Sequence, residues 1–122
     1  MGALELTGVP FSGCRFSAIT ACHRKHQANA LLQLGGVPIP TFTLAQGNQV
    51  RADFPLPAIV KPNGEDASIG IDGEAVCTSR RALRKRVARM LEQFSEVLVQ
   101  AYVPGREFNV GCAVFAVAGP HG

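Results

Sequence analysis

Short apolar runs, helically spaced apolar stripes and Gly/Pro punctuation alternate along the chain, and their order predicts its elements. "LELTGVPFSGC" reads as a short helical end, a Gly-Val-Pro turn and a brief strand. From Ser17 to Leu34 the apolar positions, Ile19, Cys22, Leu31 and Leu32 among them, predict one helix that Gly35-Gly36 stops. "VPIPTFTL" is extended by its prolines, "AQGNQVRADFPLP" is a polar turn region and "AIVK" is a short buried strand. "EAVCTS" suits a strand, after which Thr78 or Ser79 caps a second helix with Leu83, Val87, Met90, Leu91 and Phe94 on one face. "EVLVQAYV" is a strand, Pro104-Gly105 a turn and "EFNVGCAVFAVA" a further strand. The second half therefore reads strand, helix, strand, strand, and the chain mixes α and β. Little precedes the opening turn and "GPHG" follows directly on a strand, so both ends read as cut.

Composition narrows the class. A chain of 122 residues, 47% of them hydrophobic, has room for one modest core and is too apolar to be disordered. Cys14, Cys22, Cys77 and Cys112 form no C-x-x-C pair, which is the usage of reduced thiols rather than of a disulfide framework. The start has no basic segment followed by a long apolar one, and no apolar stretch nears the ~20 residues of a membrane span. A cytoplasmic protein without a membrane partner is the expectation.

The chemistry gathers around "AIVKPNGEDASIGI", residues 58 to 71. A lysine at the end of a buried strand presents a compact cation at a sheet edge, a place to hold a phosphate. Gly64 and Gly70 let the following loop bring backbone N–H groups close to such an anion. On these residues alone, a surface turn with a solvated lysine remains open. Further on, "EVLVQAYVPGREFNV" sets Glu107 beyond a strand and tight turn, flanked by Phe108 and Val110. The strand can offer backbone groups to an adenine edge, and the acid can accept from two ribose hydroxyls. Singly, Glu107 reads equally as a rim carboxylate paired with an arginine.

Four stretches in this order resemble the ATP-grasp superfamily, and within it the D-alanine–D-alanine ligases. They are "LELTGVPFSG", "CHRKHQANALLQLGGVPIPTF", "LPAIVKPNGEDASIGI" and "EVLVQAYVPGREFNVG". The resemblance implies an α/β (α+β) fold: the small ATP-grasp subdomain, with a mainly antiparallel sheet and two flanking helices, truncated at both ends. Residues 1–20 would be the tail of an N-terminal domain, 21–104 the small ATP-binding subdomain and 105–122 the first strands of the catalytic subdomain. Lys25 would reach the α- and β-phosphates, and Lys61 would touch a phosphate and border the adenine, whose pocket Ile59 would line. Ser68 would close over the terminal phosphates with Gly70 allowing the bend. Gln100 would face the adenine amino group, Ala101 and Val103 would offer backbone groups to the adenine edge, and Glu107 would hold the ribose. Together the ammonium groups of Lys25 and Lys61 would converge on one anion, with Glu107 across the same cleft.

Gln100 stands where the ligases have a glutamate, and Ala67 where they have a first loop serine that places the amino acid substrate. By the same resemblance, the parent protein joins a carboxylate to an amine at the expense of ATP through an acyl phosphate, in peptidoglycan precursor synthesis. Mg2+ ligands and a complete catalytic set belong to parts outside this chain, which alone would be inactive. The expected partners are ATP and amino acid substrates, and a homodimer stays open for the parent.

Other readings compete. "RRALRKRVAR" holds six of the 12 basic residues and could pair with nucleic-acid phosphates, although a solvated helix face explains it as well. No nucleic-acid partner is expected. Cys22 and His26, one turn apart on the first predicted helix, are only half a zinc site, and no metal site is expected here. A non-catalytic nucleotide-binding or interaction module is the remaining alternative.

Overall fold

A computed structural model describes residues 2–45, 47, 50–65, 69–108 and 110–111. Three helices come first: α1 (Gly2–Thr7), α2 (Phe16–His23) and α3 (Lys25–Leu34). They are followed by β1 (Phe42–Ala45), β2 (Ala58–Pro62), β3 (Val76–Cys77), α4 (Arg80–Leu91) and β4 (Val97–Ala101). The four strands form one antiparallel sheet in the order β1-β4-β2-β3. This is the mixed α/β fold with an antiparallel sheet that the sequence implies.

Alternation along β2 divides the sheet into two unlike faces. Ala58, Val60 and Pro62 are buried, whereas Ile59 and Lys61 between them are half-buried. Cross-strand partners share a face. Val60 and Pro62 therefore lie with Val99 and Val97, and Ile59 and Lys61 lie with Gln100 and Leu98. The first face is closed by α4, whose Leu83, Val87 and Met90 pack on Ala58, Val60, Val97, Val99 and Cys77. Burying one such aliphatic side chain stabilises by about 1.5–3 kcal/mol. Ser79 starts α4 by accepting a hydrogen bond from the Ala82 N–H at 3.2 Å, worth about 1 kcal/mol.

Several expectations are corrected. The predicted helix from Ser17 to Leu34 is broken at Arg24, whose backbone is extended. Arg24 makes no side-chain cap. The first amides of α3 instead find acceptors far along the chain: Lys25 N–H donates to the Asn63 carbonyl at 3.0 Å, and His26 N–H to Asn63 Oδ1 at 3.0 Å. A helix start supplied from another element leaves no local mark in the sequence. Residues 9–15 form no strand, and the region expected to be a polar turn sends Phe54 into the core, with Val50 and Leu56 against it. On α4 the apolar stripe also contains Arg86, which is buried. It is tolerated because its guanidinium donates to both carboxylate oxygens of Asp72 at 3.0 Å and to the Gly70 carbonyl at 2.8 Å. Most of the expected last strand, with Cys112, lies outside the described residues.

Candidate functional site

The second face of the sheet holds Ile59, Lys61 and Gln100 together. Lys61 sits where β2 ends, held by its pairing with Leu98, and Ile59 and Gln100 are cross-strand partners beside it. Gln100 is buried on that face, between Ile59 on one side and Phe42 on the other. The Lys61 ammonium is held below the ordinary lysine value. Its burial is the largest cause, the like charge of Lys25 adds to it, and the carboxylate of Glu107 acts in the opposite direction. The structure thus brings Lys25 and Glu107, far from it in sequence, close enough to act on the Lys61 charge.

Lys25 reaches this place because α3 begins on Asn63. Asn63 is fully buried, follows β2 directly and is missed by any reading of the sequence as a loop residue. Its Nδ2 donates to Glu96 Oε2 at 2.9 Å, its backbone N–H donates to the Glu96 carbonyl at 3.1 Å, and its side chain also meets the His26 ring. Arg24 pairs with Glu96 at 3.3 Å. The Lys25 ammonium donates to the carbonyl of Glu65. The only advance signal was the adjacency of Asn63 to Lys61.

Gly70 marks where the chain comes back to the sheet. Its φ of +74° suits glycine, and a Cβ there would lie 2.9 Å from Pro62 Cγ and 3.3 Å from both Met90 and Phe94. The return of the loop is therefore pressed against the residue next to Lys61. Ala67 and Ser68 lie outside the described residues.

The adenine-side expectations fare unevenly. The Ala101 N–H donates to the Thr41 carbonyl at 2.8 Å and that of Tyr102 to the Pro57 carbonyl at 2.9 Å, so neither amide is open to a base. Val103 lies beyond the strand and is exposed. Glu107 is exposed too, as are Phe108 and Val110, so its setting is not the apolar one expected. The neighbouring Arg106 stacks its guanidinium over the Phe108 ring, 5.1 Å from the centroid.

The zinc half-site is undone by the helix break: Cys22 ends up on α2 and His26 on α3, with its ring on Asn63. Among the described residues no three His, Cys, Asp or Glu side chains are placed to hold a metal ion, and no helix is long and apolar enough to cross a membrane. A groove of about 610 Å³ between α2 and α3, lined by Phe16, Leu31 and Leu34, contains no charged side chain and is unsuited to a phosphate.

Residues 38–118 match the protein family described as "D-ala D-ala ligase C-terminus". The chain belongs to this family. The D-alanine–D-alanine ligase of Gluconobacter oxydans is 32% identical over 114 residues, covering 90% of this chain and 36% of that protein. The ligase of Pseudothermotoga lettingae is 27% identical over 107 residues, covering 88% and 35%. The chain therefore spans about a third of the length of the curated relatives it matches. Among solved structures, the Bacillus anthracis D-alanine–D-alanine ligase complexed with ATP superposes with a TM-score of 0.70 at 24% identity, over 85% of this chain and 35% of that one. The VanG D-Ala:D-Ser ligase of Enterococcus faecalis gives 0.71 at 24% identity, over 85% and 32%. At that identity the likeness is one of fold. The match to the D-ala D-ala ligase C-terminus family begins at residue 38, so Lys25 lies outside the residues it covers.

Proposed function

We propose that this chain is the nucleotide-binding part of an ATP-dependent ligase that joins a carboxylate to an amine, of the D-alanine–D-alanine ligase type. One observation carries the reading. The half-buried Lys61 ammonium at the end of β2 feels the like charge of Lys25, whose own ammonium sits on the Glu65 carbonyl at the start of the loop. Like charges are kept together at such a cost where an anion completes the site.

The residues present fit a triphosphate. Lys25 and Lys61 would hold its phosphates, Ile59 would lie under the base and Gln100 would face the base's amino group, its amide oxygen accepting as a glutamate would. The backbone at Gly70 would border the phosphates, Val103 the base edge, and Glu107 the ribose. ATP, when bound, supplies the phosphoryl group that activates the carboxylate. This chain contributes charge neutralisation and orientation to that step. The described residues provide no set of acids for Mg2+, so no step is assigned to the ion. In this reading residues 21–104 are the ATP-binding subdomain, flanked by the end of a preceding domain and the start of a catalytic one. The cell compartment that fits a nucleotide-dependent ligase with free thiols is the cytoplasm.

Calorimetric titration of the chain with ATP and with adenosine tests this. Binding of ATP that weakens tenfold or more in Lys25→Met and in Lys61→Met, with adenosine unaffected, is the expected result. No ATP binding, or binding indifferent to both substitutions, contradicts it.

A further inference from the structure

We propose that Asn63 is a positioning residue for the site: it locks the start of α3 to the end of β2 and so fixes the Lys25 ammonium beside that of Lys61. The functional consequence rests on the nucleotide reading above; the geometric one does not.

Asn63 joins three elements at one buried point. Its carbonyl and Oδ1 accept from the first two amides of α3, each at 3.0 Å. Its Nδ2 and N–H donate to Glu96, the residue before β4. Through Pro62 it is two residues from Lys61 on a rigid sheet strand. Lys25 is the first residue of α3, and its N–H and that of His26 both end on Asn63, which ties this helix start to the end of β2.

The charge of Lys25 disfavours that of Lys61, so the two long side chains stay near each other only where their backbones hold them. Helix α3 has no local cap to hold its first turn, since Arg24 offers none. Without the Asn63 side chain the His26 amide loses its acceptor and the Glu96 carboxylate loses a donor, and the first turn of α3 is free to fray. Lys25 then leaves Lys61. A core asparagine that only stabilised the fold would have no such effect on the charge state of a lysine two residues away.

The test uses the 122-residue chain with Asn63→Ala, and Glu96→Gln as the conservative variant that still accepts from Nδ2. Two readouts are followed: the titration of Lys61 by NMR of its side chain without nucleotide, and the affinities for ATP and adenosine. In Asn63→Ala the Lys61 titration moves up toward the ordinary lysine value. ATP affinity falls about tenfold while adenosine affinity stays within twofold. Glu96→Gln leaves both close to the parent. Should Asn63→Ala fail to fold, Asn63→Ser, whose hydroxyl can still accept from a helix amide, is expected to shift both readouts in the same direction by less. A folded variant in which Lys61 titrates as before and ATP binds as before overturns the proposal. If the unsubstituted chain binds no ATP, the function proposed above falls, and the Lys61 titration alone decides the role of Asn63.

Discussion

The two faces of the sheet are built from the same strands, yet they obey different rules. On the α4 face Leu83, Val87, Val97 and Val99 fill the core, and the one buried charge on the helix, Arg86, is paired with Asp72. On the other face the same β2 and β4 half-bury a lysine, bury a glutamine and bring two charges from elsewhere to bear on it. The closed face explains why the chain folds. The open face carries a half-buried lysine whose charge its burial and a like charge both disfavour.

The difference is broken most severely from the closed side. Leu83→Ala, at a position 1% exposed, should destabilise the chain by about 2–5 kcal/mol in a denaturant titration. Lys61→Met should do the reverse on the open side: Tm is kept or raised, while ATP affinity falls about tenfold, roughly 1.4 kcal/mol. The sign follows from linkage. Because the folded Lys61 value lies below the unfolded 10.5, the unfolded chain holds more protons between the two, and stability rises with pH across that window. Below the window the cost of the buried charge is fully present, and Lys61→Met removes it. A drop in Tm for Lys61→Met would mean that the lysine is a structural group like those of the opposite face. The smallest effect belongs to the solvated side of α4. Arg89→Ala breaks a pair with Glu74 in which both partners are more than half exposed, and should change stability by less than ~0.5 kcal/mol.

What could be read in the sequence was what depends on local pattern. The strand ending in Lys61, the Ser79 cap and the Leu83, Val87 and Met90 stripe each follow from residues close together in the chain. The break at Arg24 could not be read, because its cause is Asn63, 37 residues or more away. Arg86 looked like one basic residue in a run of them. Its burial depends on Asp72 and Gly70 lying across from it, a pairing made only by the fold. The approach of Lys25 to Lys61 came from family resemblance, since no spacing rule joins a helix start to a strand end. Glu107 misled in the other direction: apolar neighbours in sequence suggested a buried acid, and all three are exposed.

The most direct measurement is the pH titration of the Lys61 ammonium by NMR, in the chain, in Lys25→Met and in Glu107→Gln. Lys61 should titrate below 10.5, move up when Lys25 is replaced and down when Glu107 is replaced, and move up again on addition of ATP. A Lys61 that titrates as a free lysine and ignores all three changes would contradict a shared anion site on the open face.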